Sequence, residues 1–261
     1  MAGRKEQKAA LRAQREARER EAATAERRRR RLWQLGAVVA AAVVIVVAAI
    51  VISSGGSTST AQTGRAAAKN SAAVDAELDG IAQSGTVLGR ASAPVTMDYY
   101  GDLECPVCKD FTLGTLPKVI SDQVRSGTLR IRYRSLETAT RDQSTFTTQQ
   151  AAALAAGRQR RLWQFIELFY RDQGDEGTGY VTPTFLKGVA RQVRGLDVAK
   201  WSSARFDPAL SNQVVADERA AQKLGASSTP TVIIRGPGGT KGYVGDVPYS
   251  DIAGAIKAVR G

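Results

Sequence analysis

The chain has no histidine. Without an imidazole it cannot run a Ser-His-Asp or Cys-His mechanism. Zinc sites built on histidine are closed to it as well, and most hydrolase readings fall away. Cysteine is nearly absent: the 261 residues hold two, Cys105 and Cys108, three positions apart. No internal repeat is evident. Charge is missing altogether from Leu32 to Ile52, a run of 21 residues rich in Ala, Val and Ile.

That uncharged run follows an opposite kind of sequence. Residues 1–31 carry twelve Arg or Lys against five Glu, ending in Arg27 to Arg31, and account for +7 of the formal net charge of +12. The tail is too polar to bury a core. The basic balance is therefore local, and it does not point to nucleic acid. At about 1.5 Å per residue, the 32–52 run spans a hydrocarbon core of about 30 Å. Trp33 stands at its entry, and no basic residue follows before Arg65. The positive-inside rule then predicts a cytoplasmic N-terminus and a single-pass cell-membrane protein with everything after Ile52 outside. A cleaved signal peptide, cut near Ala61, is the alternative, but its apolar region would be shorter. Topology and contact with anionic inner-leaflet lipid account for the tail; a cytoplasmic partner is the other reading.

Residues 53–70, rich in Ser, Gly, Thr and Ala, read as a flexible linker. Val74, Leu78 and Ile81 are at helical spacing in a short amphipathic helix over 71–82, and Gly85 to Pro94 breaks the periodicity. A strand is predicted over 95–100. A helix follows over 105–125, with Pro117 as a kink. Leu129, Ile131 and Tyr133 alternate with Arg130, Arg132 and Arg134 in a half-buried strand whose basic face is solvated or steers acidic substrates. Residues of about 140–225 read as a helical block, with Trp163, Phe165, Ile166, Phe169, Tyr170 and Trp201 as core and helix starts at Thr182-Pro183 and Asp207-Pro208. Then come a strand over 231–234, a turn at Gly236-Pro237-Gly238-Gly239, a strand over 240–244 and a helix over 249–259. The order is βαβ, helical block, ββα. It predicts an α/β, thioredoxin-like fold with an inserted helical subdomain, preceded by one transmembrane helix, and a folded domain spanning 71–261.

The two cysteines fall at a strand-to-helix junction. A helix N-terminus presents unpaired N–H groups and a positive dipole end, which lower a thiol pKa. Cys105, in the first turn, faces solvent as the attacking thiolate; Cys108, deeper on the same face, resolves the mixed disulfide. Pro106 occupies a position where its missing N–H costs nothing. Three plainer readings compete. A structural bridge across so short a loop gains little. Half a zinc site lacks further ligands unless a dimer shares two pairs. The third is a pair of inert core thiols. A second element is Ser228-Thr229-Pro230-Thr231. A proline at the mouth of a central strand removes a ladder donor; a cis Thr229-Pro230 bond would leave the Thr229 backbone free to pair with a substrate strand. A trans proline ending a loop is the alternative.

Pro94-Val95-Thr96, Gly101-Asp102-Leu103-Glu104-Cys105-Pro106-Val107-Cys108 and Gly225-Ala226-Ser227-Ser228-Thr229-Pro230-Thr231 together resemble the DsbA-like family of the thioredoxin superfamily, in its membrane-anchored actinobacterial form. The resemblance covers about residues 90–260. It implies Cys105 as nucleophile, Cys108 as resolving cysteine, and Pro230 as a cis-proline preceded by Thr229, with no cofactor or metal. It also implies oxidation of dithiols in exported proteins and re-oxidation by a quinone-linked membrane partner. Two departures stand out. Many members carry a buried acid six residues before the first cysteine, where this chain has Tyr99; Asp98 beside it becomes the candidate proton acceptor. Pro-Val between the cysteines replaces the Pro-His of the strongest oxidants, which implies a less oxidising couple. Two other functions fit the residues: an extracytoplasmic disulfide reductase or isomerase, and a non-catalytic thioredoxin-like docking module.

Overall fold

The computed structural model describes residues 60–261. The basic tail 1–31, the expected transmembrane run 32–52 and residues 53–59 of the linker lie outside the described residues. Among the described residues no helix is long and apolar enough to cross a membrane.

Helix α1 (Gly64–Leu78) comes first. It starts inside the stretch whose composition reads as linker and stops short of Ala82. The run Arg65-Ala66-Ala67-Ala68-Lys69 has strong helix formers, and Val74 and Leu78 turn into the core. Two short strands follow, β1 (Gln83–Ser84) and β2 (Val87–Leu88), paired antiparallel around Gly85. Two-residue strands have no periodicity to detect, which is why the sequence reads this region only as a break. Gly85 takes φ +56, a left-handed conformation that glycine adopts without steric cost.

The central strands are β3 (Val95–Gly101) and β4 (Leu129–Ser135), which run parallel. Strands β5 (Thr231–Gly236) and β6 (Gly239–Val244) form a hairpin across the Pro237-Gly238 turn, and β5 lies antiparallel to β3. The sheet order is β1-β2-β4-β3-β5-β6. Its middle strand, β3, ends at the loop that carries the cysteines.

From Cys105 the chain enters a helical run of alternating character: α2 (Pro106–Asp110), a π turn (Phe111–Thr115), α3 (Leu116–Val119) and a second π turn (Ile120–Val124). The expected kink at Pro117 takes this form. Pro117 has no N–H for the carbonyl four residues back, and just before it Leu116 N–H reaches five residues back to Phe111 O.

Between β4 and β5 lie α4 (Gln143–Gly157), α5 (Leu162–Asp172), α6 (Pro183–Gln192), α7 (Val198–Ala204) and α8 (Pro208–Lys223). Thr182 and Asp207 cap α6 and α8 by accepting from Phe185 N–H at 3.1 Å and Ala209 N–H at 2.9 Å, with Pro183 and Pro208 opening the helices. Trp163, Phe165, Ile166, Phe169, Tyr170 and Trp201 are all buried, as their spacing predicts. Helix α9 (Tyr249–Arg260) closes the chain against β5 and β6.

Candidate functional site

Cys105 is the residue before the first helical position of α2, with Pro106 immediately inside. Both cysteines are thiols. Cys108 is fully buried, whereas Cys105 is 6% exposed and Val107 39%. The first cysteine is thus less open than its place in the turn predicts. The reason is the loop before β5: Cys105 Sγ donates to Thr229 O at 3.4 Å, and the Thr229-Pro230 bond is cis. Thr229 is held in turn by a 2.5 Å hydrogen bond between its hydroxyl and that of Thr138. The four expected site residues, Cys105, Cys108, Thr229 and Pro230, therefore lie in one place.

The two thiols titrate apart. The Cys108 thiol and the Thr229 side chain hydrogen-bond the Cys105 sulfur, and the N–H groups of Cys108 and Val107 point at it; together they hold Cys105 down at about 6, against burial. Burial pushes Cys108 well above the ordinary thiol value, and the neighbouring Cys105 adds to the rise. Cys105 therefore gives up its proton far more readily than Cys108, which separates attacking and leaving sulfur from reserve thiol.

Under Cys108 lies a group of buried phenols. Tyr99 OH is 3.4 Å from Cys108 O, 2.9 Å from Thr112 Oγ1 and 3.5 Å from Tyr170 OH, and Tyr170 OH donates to Asp102 O at 3.1 Å. Tyr133 packs edge-on against Tyr99 and donates to Gly101 O. Burial drives all three phenols far above their ordinary pKa, so none serves as a base near neutrality.

Asp98 is not the acceptor that its position in the sequence allows. Successive strand residues point to opposite faces, so Tyr99 faces the thiols and Asp98 faces away. There it accepts from Arg132 Nε at 2.5 Å and from Arg235, with Arg134 at 3.6 Å. Burial works to raise Asp98, yet these guanidiniums keep it below the ordinary carboxylate range. The basic face of β4 is accordingly not a row of unpaired charges: Arg132 holds Asp98, and Arg134 holds Asp217 at 2.6 Å.

The buried acid next to the thiols is Asp102, which the sequence analysis quotes in the motif leading to Cys105 without giving it a role. It accepts from the N–H groups of Glu104, Thr138, Ala139 and Thr140 at 2.9–3.1 Å and from Thr140 Oγ1 at 2.6 Å. Asp102 thereby pins the loop bearing Thr138, the residue that holds Thr229. An Asp just past a strand, followed by no capped helix, was the available signal. Glu104, whose charge beside Cys105 could oppose a low pKa, instead hydrogen-bonds Thr140, and burial raises its own pKa. Gln173 Nε2 donates to Leu103 O at 2.8 Å and Cys105 O at 3.2 Å, fixing the other side of the cysteine loop. Among the described residues no group of His, Cys, Asp and Glu is arranged to hold a metal ion.

Comparison with known proteins gives concordant findings. Residues 82–257 match the family model described as thioredoxin. Disulfide bond formation protein D of Bacillus subtilis is 26% identical over 153 residues, which cover 57% of this chain and 66% of that protein, just under two thirds of its length. The probable disulfide bond formation protein D of Bacillus anthracis is 23% identical over 150 residues, 57% of this chain and 69% of the relative. Among solved structures, oxidised BdbD from Bacillus subtilis superposes with a TM-score of 0.58 at 23% identity, covering 66% of this chain and 91% of that one. The DsbA protein alpha-DsbA1 of Wolbachia pipientis gives 0.56 at 18% identity, over 70% and 92%. At these identities the two structures speak for the fold.

Proposed function

The chain belongs to the thioredoxin family, and we propose that it is a thiol–disulfide oxidoreductase that forms disulfides in exported proteins through Cys105 and Cys108. The observation that carries the reading is the split between the two thiols, with Cys105 held at about 6 and Cys108 pushed up. The relatives named for disulfide bond formation support the same direction.

The cycle starts from the Cys105–Cys108 disulfide. A substrate thiolate attacks Cys105 Sγ; the enzyme S–S bond breaks, and Cys108 leaves with the electron pair and takes up a proton. A second substrate thiolate then attacks the substrate sulfur of the mixed disulfide. Cys105 departs as a thiolate, for which a low pKa makes it a good leaving group. The substrate has lost two electrons and the enzyme dithiol holds them. Thr229 and Pro230 border Cys105, and the Thr229 backbone is the element on which a substrate strand would pair beside the sulfurs. Restoring the disulfide requires an oxidant that takes two electrons, and the membrane partner we assign is a quinone-linked re-oxidase. The domain is displayed outside the cytoplasmic membrane on the 32–52 span; the uncharged run behind twelve basic residues supports that placement.

The test uses the full chain and a reduced, unfolded exported protein. The wild type should accelerate disulfide formation, Cys105→Ser should reduce it to the uncatalysed rate, and Cys108→Ala, supplied with oxidised glutathione as the two-electron oxidant, should accumulate mixed disulfides with the substrate. A reduction potential near the roughly −270 mV of thioredoxin would overturn oxidation as the direction of flow. Absence of any trapped species would favour the docking module.

A further inference from the structure

The sheet face turned away from the cysteines carries a second polar site. Strand register places Arg130, Thr96 and Arg235 in one cross-strand row, and Arg132 beside Asp98 in the next. Where β2 begins, Val87 pairs with Arg132. These residues line a pocket of about 360 Å³: Val87, Thr96, Arg130, Arg132 and Arg235. Helix α8 reaches this face at its other end, where Asp217 takes Arg134. Among the described residues only β3 and β4 run parallel in this sheet, and antiparallel pairs can leave one face to water; what marks this opening is the guanidiniums gathered in it.

The three guanidiniums are held rather than loose. Arg130 Nε donates to Thr96 Oγ1 at 2.9 Å and its Nη1 to Ala91 O at 2.6 Å. Arg132 uses Nε, and Arg235 uses Nη1, on the carboxylate of Asp98, whose side chain is 2% exposed. Among the described residues Arg130 Nη2, both Nη atoms of Arg132, and Nε and Nη2 of Arg235 make no hydrogen bond. Four arginines, counting Arg134, face two carboxylates, Asp98 and Asp217. Positive charge is left over at the open end. Arginine forks fixed by a second set of contacts suit bidentate recognition of a tetrahedral oxyanion.

We propose that the Arg130–Arg132–Arg235 pocket binds a phosphate-bearing anion, either a free phosphate or phosphomonoester or the phosphodiester headgroup of a lipid. Its clustered charge favours a phosphate group over an extended acidic segment, which would need a row of separated cations. Arg130 and Arg132 rise from β4 and Arg235 from β5, on either side of Thr96 and Asp98 of β3. The site stands apart from the thiols, because β3 itself separates the two faces.

The test is a calorimetric titration of the full chain in neutral detergent, at constant ionic strength, with inorganic phosphate in one arm and a monomeric short-chain phosphatidylglycerol in the other. Polyglutamate serves as a third ligand. The basic tail binds anions too, so the readout is the difference between the wild type and Arg130→Gln, which share that tail. Loss of one charge-assisted fork should weaken saturable phosphate binding by about tenfold. Arg130→Lys, which keeps the charge without the fork, should fall between. Thermal unfolding and Cys105 alkylation, unchanged in both variants, establish that they fold. Equal fork-dependent binding of both phosphate ligands identifies free phosphate chemistry, and tighter binding of the lipid identifies the headgroup; either supports the pocket. Identical phosphate binding by the wild type and both variants overturns it, as does Arg130-dependent binding of polyglutamate alone. If Arg130→Gln unfolds, Arg130→Lys carries the decision: affinity equal to the wild type overturns the proposal.

Discussion

Asp98 and Tyr99 are consecutive residues of one strand, yet they belong to opposite chemistries. Tyr99 joins Thr112 and Tyr170 beneath a buried thiol, in a layer of neutral hydrogen-bonding groups. Asp98 anchors guanidiniums on a charged face that opens to water. The pleat of β3 keeps these layers apart by alternating its side chains. The thiol side shifts pKa values through burial and hydrogen bonds, and the arginine side through paired charge. A disturbance of one layer should therefore register weakly in the other.

The largest expected effect belongs to the thiol side. Cys105 sits at about 6 when folded, against about 8.5 for a free thiol. A lowered pKa stabilises the folded thiolate. For the reduced protein that stabilisation is complete above about pH 8.5 and is lost as pH falls through about 6, a swing of about 3 kcal/mol at most. Denaturant unfolding of the reduced and oxidised forms between these pH values should show the reduced form gaining on the oxidised as pH rises. A pH-independent difference would break the comparison on this side.

Asp98→Leu comes next. It strips the partner from Arg132 and Arg235, and because those arginines are about one-third exposed, we expect a loss of about 2 kcal/mol rather than the larger cost of a sealed pair. The Cys105 alkylation midpoint should remain at about 6 in this variant. A shifted midpoint would mean that charge on the outer face is felt by the thiols. Tyr99→Phe should cost about 1 kcal/mol by leaving Thr112 with one partner fewer, and the salt dependence of stability, which comes from the charged face, should match the wild type. The smallest change is expected from Thr138→Val, about 0.5 kcal/mol in stability. It should nevertheless slow oxidation of substrate measurably, since Thr138 holds Thr229.

The long periodic elements were readable from the residues because burial and period coincide there. Every strand of five or more residues and the helices at Thr182-Pro183 and Asp207-Pro208 fall where pattern and caps place them. The four expected site residues also converge. What escaped was set by partners distant in sequence. Asp98 is a plausible proton acceptor until β5 brings Arg235, 137 residues away, against it. Asp102 has no periodicity to mark it, and its worth comes from the N–H groups of the loop after β4. Helix α1 begins earlier than its apolar spacing suggests, since its first turns are held by helix propensity and by Asn70 Nδ2, which donates to Gln62 Oε1 at 3.1 Å. Hairpin β1–β2 is too short to have a period.

Arg125 follows the second π turn of the helical run that begins at Pro106, and its guanidinium grips the last carbonyls of α1: Ala76 O at 3.3 Å, Glu77 O at 2.7 Å and Asp79 O at 2.9 Å. One rod therefore has the thiols at its head and the leading helix clamped at its foot. Tension applied to the chain at Gly64 enters the inserted helices first, through Gln62 N–H on Asp172 at 3.0 Å and the packing of α1 on α5, and the clamp ties the far end of α1 to the foot of the rod, about 30 Å from the sulfurs at 1.5 Å per residue. The reactive end is mechanically sheltered: α1 stays seated on α5 through Val74 and Leu78, and Arg125→Ala should loosen only the last turn of α1 while the thiols keep their register.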